Sequence, residues 1–196
     1  MAGVLIGLRD LYVAEIDETA GTFETPYRIA KAIEATVTPN VSNAVLYADD
    51  EAAETATSEA ETEIGLTVDA LSNAIYAKLL GKHVNADGVV EDSSGDIPPK
   101  VALLFRSLKS NGKYRYYAFY NGSFQVPEES FATKGESVEY NTPSITGVFI
   151  HSQTIKNTKG EGIKRVFVDE DDADVDASII ENWFTEVYQP SAVPTP

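Results

Sequence analysis

Two Asn-Gly pairs, ten residues apart, constrain the fold of this chain more than any other feature of its sequence. Asn111-Gly112 and Asn121-Gly122 flank the segment KYRYYAFY, and the segment VALLFRSL precedes the first pair. Asn-Gly is the preferred two-residue hairpin turn because both central residues of that turn need a positive φ. The sequence therefore predicts a three-stranded antiparallel meander over residues 100–124.

The central strand of this meander is apolar on both faces. Alternation places Tyr114, Tyr116, Ala118 and Tyr120 on one face and Arg115, Tyr117 and Phe119 on the other. A strand with two apolar faces is covered on both sides, which is typical of a β-sandwich or a partial barrel. Strand-like patterns also occur over residues 8–17, 27–37, 63–69 and 135–151.

Two segments have the pattern of helices. The first covers residues 70–80, with Asp69 or Ser72 as its N-cap and Gly81 as its stop signal. The second covers residues 178–188, where Ser178 and Glu181 have the spacing of a capping box. We therefore expect a mainly β protein: an antiparallel β-sandwich or partial barrel with a flanking α-helix and a C-terminal helix. It would form one domain over 1–188, followed by a Pro-rich flexible tail at 189–196.

The distribution of charge excludes several functions. The net charge is −16, and no Lys or Arg occurs between Lys31 and Lys78. A surface of this sign does not bind phosphate backbones or anionic membranes, because both require Lys and Arg. No apolar run approaches the ~20 residues of a transmembrane helix. Within the acid-only region, the carboxylates that we single out are Asp49, Asp50, Glu51, Glu54, Glu59 and Glu61.

Basic residues are concentrated in a different part of the chain. No acid occurs between Asp96 and Glu128, whereas five bases do, including Lys109, Lys113 and Arg115. Separated charges of this kind give orientation and register to a protein that stacks on copies of itself. We therefore take these three bases, together with the six carboxylates above, as candidate inter-subunit or lumen residues. The alternative is that both groups are simply solvated surfaces.

The sequence offers no catalytic, cofactor or metal motif. The two histidines, His83 and His151, lie outside any nucleophile or zinc-binding pattern. The run DEDDADVDASIIE resembles the start of a calcium loop, but Ala177 stands where such a loop needs glycine. We expect no enzyme activity, no cofactor and no metal site.

Several segments together resemble a known family. LKSNGKYRYYAFYNGSF, PEES, TKGESVEYNTPSITGVF and NWF occur in this order, and LYADD and ETATS precede them. The set, which spans roughly residues 4–188, is similar to the major tail tube proteins of long-tailed, non-contractile bacteriophages. The resemblance implies a structural virion protein that forms hexameric rings, which stack into a tube through which genomic DNA passes without specific binding. It also implies contact with tape-measure, tail-terminator and initiator proteins, and assembly in the host bacterial cytoplasm.

This resemblance suggests a reason for the acid-only region. A conduit lined with carboxylates repels the phosphates of DNA, so that DNA slides without being trapped. We expect part of 32–77 to face the lumen. The remainder of 48–62 is expected to be a loop that reaches a neighbouring ring and becomes ordered on assembly.

Two other classes of function remain open at this point. One is a monomeric β-sandwich that binds carbohydrate or a host surface through an exposed groove of tyrosines. The other is a small hydrolase that uses a pair of carboxylates, one of which has a raised pKa in a cleft.

Overall fold

The computed structural model describes residues 3–17, 19–48, 51–129, 133 and 142–190, with backbone alone over 45–48 and 51–56. The strands are β1 (Leu5–Asp17), β2 (Thr22–Phe23), β3 (Tyr27–Ala30), β4 (Ala32–Ala48), β5 (Glu51–Val68), β6 (His83–Val84), β7 (Val90–Glu91), β8 (Val101–Lys109), β9 (Tyr114–Phe124), β10 (Ser144–Phe149) and β11 (Arg165–Asp169). The helices are α1 (Asn73–Leu80) and α2 (Ala177–Asn182). The prediction of a mainly β protein with two helices is confirmed.

Nine of these strands form one antiparallel sheet. Its order is β2-β1-β8-β9-β10-β5-β4, with β3 also paired to β1 and β11 also paired to β9. Within the described ranges, hydrogen bonds do not close this sheet into a barrel. Its two ends are nevertheless joined by the chain at Lys31, the one residue between β3 and β4. The Asp69 carboxylate fixes that corner by accepting a hydrogen bond of 2.9 Å from the Lys31 amide.

The second Asn-Gly pair is not a turn, so the predicted three-stranded meander is wrong. Asn111-Gly112 does connect β8 to β9, but β9 continues through Asn121 and Gly122 to Phe124. Asn121 has a φ of 50°, and the strand bends there. β11 pairs with β9 before this bend, and β10 pairs with it afterwards. The positive φ that the sequence indicated is therefore present, but it serves a corner within one strand.

Two cores lie on opposite faces of β1, β8 and β9, which confirms that β9 is covered on both sides. The interior core includes Leu11, Ile64, Leu66, Val101, Leu103, Phe119, Phe124, Ile145 and Phe149. The outer core includes Ala14, Leu104, Tyr116, Ala118, Tyr120, Ile155, Trp183 and Val187. The chain after β10 supplies the cover of the outer core, because Trp183 and Val187 belong to its last described segment.

Helix α1 closes one end of the interior core. Ser72 caps it by accepting a hydrogen bond from the Ile75 amide, and Gly81, in the left-handed region, ends it. Its buried residues Leu79 and Leu80 pack against the interior core. The predicted first helix is thus present, with Ser72 as the N-cap.

Helix α2 is shorter than predicted. It covers only Ala177–Asn182, and its N-cap is Asp176, whose carboxylate accepts a hydrogen bond from the Ser178 amide. The predicted Ser178 capping box is therefore wrong, because the helix begins two residues earlier than that motif requires. The apolar residues Trp183 and Val187 are buried as expected, but they lie in turns after the helix.

Candidate assembly surfaces

The hairpin of β4 and β5 projects from the body of the protein. β10 pairs with β5 only from Thr62 to Thr67, whereas β4 and β5 remain paired with each other as far as Ala48 and Glu51. At about 3.3 Å per residue, the hairpin extends roughly 35 Å beyond Thr62. Residues 38–44 and 57–60 are exposed. We call this two-stranded projection, residues 40–48 and 51–61, the ribbon.

The prediction of a loop over 48–62 is wrong, because residues 51–62 belong to β5. The residue pattern is misleading here, since Ala, Glu and Thr follow one another without forming an apolar face. Cross-strand pairing holds the ribbon instead: Thr57 donates to the Asn43 amide oxygen at 2.9 Å, and Asn40 donates to the Glu61 carboxylate at 2.6 Å. The Asn40 hydrogen bond also lowers the pKa of Glu61.

Both edges of the ribbon are unpaired among the described residues. A two-stranded hairpin is marginal in water, and unpaired edges are templates for pairing with another chain. Pro39 interrupts β4 at the root of the ribbon, which is consistent with an edge strand. Within the predicted strand at 135–151, Gly147–Phe149 has partners on both edges, and residues 135–141 lie outside the described residues.

The layer formed by β4, β5 and β10 carries only negative charge. These three strands contain six carboxylates and no Lys or Arg. Thr62, Ile64, Leu66 and Val68 point inward, so the alternating Glu61 and Glu63 lie on the outer face. Thr36 and Thr38 of β4 are also exposed. The layer therefore presents an acidic, hydroxyl-rich surface, which we call the acidic face.

An ion pair fixes the root of the ribbon. Lys164 Nζ donates to Glu59 Oε1 at 2.5 Å and to the Ala60 carbonyl oxygen at 3.3 Å. The lysine is buried, whereas half of the Glu59 side chain is exposed. This hydrogen bond lowers the pKa of Glu59. Lys164 also precedes β11, so the pair connects the ribbon to the C-terminal part of the chain.

The basic candidates pair with acids of the same chain. Arg115 binds Asp169 through two hydrogen bonds of 2.6 Å, and Lys113 contacts Glu170 at 3.0 Å. The buried Lys109 pairs with Asp171. Because these hydrogen bonds favour the charged forms, the pKa values of Asp169 and Asp171 are lowered and those of Lys109 and Arg115 are raised. This ion-pair cluster holds the segment after β11 against the β8–β9 hairpin.

The nine candidate residues thus fall into separate groups. Lys109, Lys113 and Arg115 lie together at one end of β11, and Glu59 and Glu61 lie at the root of the ribbon near the other end. Glu51 and Glu54 lie in the far part of β5, of which the backbone alone is described. Asp49 and Asp50, and the tail from 191 onward, lie outside the described residues.

Several residues that organise these surfaces were not among the candidates. In the sequence, Lys164 appears only as one of two adjacent bases, and the acids at 169–171 appear only as part of an acidic run. A pattern of opposite charges at paired positions of two antiparallel strands is the signal that could have found them. Arg115 and Asp169, for example, are direct cross-strand partners.

Most of the tyrosine cluster is core. Tyr116, Phe119 and Tyr120 are buried, and Tyr120 donates a hydrogen bond to the Tyr188 carbonyl oxygen. Burial raises the pKa of Tyr120. These three rings are therefore unavailable as a platform for a sugar.

A cavity of about 860 Å³ lies between α1, the β6–β7 hairpin and the chain on either side of residues 130–141. Its lining includes Leu71, Tyr76 and Val90, and two carboxylates, Glu128 and Glu129, both of which are exposed. Of the two helices, which have eight and six residues, neither is long enough to span a bilayer.

These observations define a mainly β protein with a projecting, unpaired ribbon and one layer of purely negative charge. The phage tail tube protein family matches residues 6–190, nearly the whole chain. The chain therefore belongs to the phage tail tube protein family, which makes it a structural component of the viral tail that assembles in many copies. No curated protein matches the chain.

Proposed function

We propose that this chain forms hexameric rings that stack into the tail tube, and that the acidic face lines the lumen through which genomic DNA passes. The observation that carries the proposal is the ribbon, whose two edges have no partner strand in the described part of the chain. Pairing of ribbons from adjacent subunits satisfies these edges and joins the layers of six copies into one continuous wall.

The acidic face supports the lumen assignment. Duplex DNA carries one negative charge per ~1.7 Å of its axis, and Lys and Arg are what bind it. A wall without either residue gives the phosphates no attachment point, and its carboxylates repel them. DNA therefore passes without specific binding.

The candidate residues take two roles in this proposal. Glu61 and Glu63 face the lumen, whereas the ribbon end, with Asp49, Asp50 and Glu51, contacts the neighbouring ring. Among the three basic candidates, Lys113 is half exposed and is best placed to reach another subunit. Lys109 and Arg115 act indirectly, by bracing the C-terminal cover.

The proposal extends to the rest of the tail. Tape-measure, tail-terminator and initiator proteins set the length and ends of such a tube, and assembly takes place in the host cytoplasm before the tail joins the virion.

Electron microscopy of the purified chain over a range of concentrations tests this function. The matched variant replaces residues 42–58 with Asn-Gly, which shortens the ribbon and keeps Glu59 with its Lys164 partner. We expect rings and hollow tubes from the native sequence and a folded monomer from the shortened one. A native chain that stays monomeric at every concentration, or a shortened chain that forms tubes equally well, would contradict the proposal.

A further inference from the structure

The interior core is open at the end opposite α1. β8 runs from Val101, beside α1, to Phe105 and Ser107 at this opening. A cavity of about 320 Å³ lies there, lined by Leu5, Leu8, Ala35, Val37, Phe105, Ser107, Tyr117, Phe119 and Arg165. We call this opening the mouth. It is mainly apolar and aromatic, and no helix covers it in the described part of the chain.

Arg165 lies at the rim of the mouth without a carboxylate partner among the described residues. Its guanidinium lies 5.9 Å from the Phe119 ring and 5.8 Å from the Phe167 ring. Phe167 is 55% exposed, and Leu5 is 42% exposed. Aromatic residues and arginine are the types that most often anchor protein interfaces.

The opposite end of the molecule presents Ile97 as its most exposed large apolar side chain among the described residues. Ile97 is 80% exposed, the highest value among the large apolar residues described. One exposed isoleucine is ordinary on a protein surface. What distinguishes Ile97 is that the loop around it is held in place and carries Asp96 next to it in the chain.

Three contacts hold this loop. The Ile97 carbonyl packs so closely on Gly81 that a Cβ at Gly81 would lie 2.1 Å from its oxygen. Asp96 accepts a hydrogen bond of 2.9 Å from the Ser93 amide, and Lys82 pairs with Asp92 at 2.6 Å. Pro98 and Pro99 follow and restrict the backbone further. A loop backbone held this way loses little freedom on binding.

The two ends are complementary: one is an apolar opening with an arginine at its rim, and the other an isoleucine beside a carboxylate. We propose that the mouth of one copy receives Ile97 of a second copy, with Arg165 facing Asp96. A contact between two different surfaces at opposite ends repeats without closing, and so produces an open stack. This inference rests on the stacking of rings proposed above, and it names the residues that would make the stacking contact.

Cysteine cross-linking tests the contact directly, because the chain has no cysteine of its own. We would mix Ile97→Cys with Leu5→Cys under assembly conditions, oxidise the tubes, and count covalent dimers on a non-reducing gel. Residues 97 and 5 lie at opposite ends of the molecule, so a disulfide between them joins two copies. The matched control mixes Val89→Cys, which is 55% exposed near the same end, with Leu5→Cys.

We expect the 97–5 mixture to give at least about tenfold more heterodimer than the 89–5 control. The reason is that residue 97 would be buried in the contact, whereas residue 89 would lie outside it. Tubes that form normally without 97–5 dimers overturn this inference and leave the proposed function standing. Absence of rings and tubes from the native chain overturns the proposed function, and the inference with it.

A second experiment replaces the same residues by Asp. Ile97→Asp should abolish tubes but leave rings, whereas Val89→Asp should leave both. Equal tube yields from the two variants would contradict the contact.

Discussion

Lys164 and Glu59 form an ion pair that joins two parts of the chain 105 residues apart, the strand of the ribbon and the segment that leads into β11. The pair is asymmetric, because the lysine is buried and the glutamate is half exposed. It is the ion pair that connects the ribbon to the C-terminal cover within the described residues. The direction in which the ribbon leaves the body therefore depends on it.

The first prediction concerns this asymmetry. Glu59→Ala leaves a buried ammonium group with a carbonyl oxygen as its remaining protein partner, so we expect a loss of about 1–3 kcal/mol in the free energy of unfolding. Lys164→Met leaves only a half-exposed carboxylate, and should cost less than about 1 kcal/mol. Urea unfolding at pH 7 measures both. Equal losses would show that the pair does not have the burial described here.

The second prediction concerns acid. The pKa values of Asp169 and Asp171 lie below their ordinary 3.8 because Arg115 and Lys109 donate hydrogen bonds to them. Carboxylates with a lower pKa in the folded state contribute stability that is complete above pH 3.8 and is lost as the pH falls below it. The free energy of unfolding should therefore decrease below about pH 4.

The matched test for the acid effect compares Asp171→Asn with Asp87→Asn. Asp87 takes part in none of the ion pairs of the described residues. Urea unfolding at pH 7 and pH 3 gives the decrease in the free energy of unfolding between the two pH values. This decrease should be smaller in Asp171→Asn than in the native chain, and unchanged in Asp87→Asn. The same decrease in the free energy of unfolding in all three proteins would count against a stabilising role of the ion-pair cluster.

The third prediction concerns the bend in β9. A Cβ on Gly122 would lie 2.2 Å from Cδ1 of the buried Phe149 ring, so Gly122→Ala should destabilise the fold by about 1–3 kcal/mol. Gly65→Ala is the control, because nothing lies within 4 Å of a Cβ there. Thermal unfolding compares the two. A Gly122→Ala variant as stable as Gly65→Ala would mean that the corner is not packed in this way.

These predictions rest on features that the sequence revealed unevenly. Local signals worked where one residue type has one conformational role: Asn111-Gly112 lies in the connection between β8 and β9, although only Gly112 has the positive φ expected of both residues, and Gly81 ends α1. The inward alternation of Ile64, Leu66 and Val68 was also correct. Each of these depends on contacts within a few residues, which a sequence pattern encodes directly.

The errors arose where distant parts of the chain decide the local structure. Asn121-Gly122 lacks a turn because β8 pairs with β9 as far as Gly122, and β10 joins on the other edge. Residues 51–61 lack an apolar face, and only their pairing with β4 makes them a strand. The pairing of Arg115 with Asp169 depends on a strand register that spacing alone does not indicate.

The fourth prediction concerns the acidic face. Replacing Glu61 and Glu63 by Lys should leave tube formation intact but slow DNA ejection, since each subunit then offers the phosphates two attachment points. The control with the same change of charge is Glu128→Lys with Glu129→Lys, which lies outside the acidic face. Ejection would be measured from particles whose tails contain each variant. Normal ejection from the Glu61, Glu63 variant would remove the lumen assignment.

The fifth prediction concerns the end of the ribbon. Changing Asp49, Asp50 and Glu51 to Lys reverses the charge of the segment proposed to contact the neighbouring ring, so tubes should become shorter or fewer. Tube lengths measured in electron micrographs give the result. Tubes of native length from this variant, with normal ejection, would exclude both a stacking and a lumen role for these residues.

The central claim is that the β4–β5–β10 layer forms the inner wall of a tube, and cryo-electron microscopy of assembled tubes tests it most directly. The account predicts a continuous inner sheet made from the ribbons of adjacent subunits, with Glu61 and Glu63 facing the lumen and Trp183 on the outer side. A tube with the Trp183 cover facing the lumen, or with the ribbon pointing outward into solvent, would contradict it.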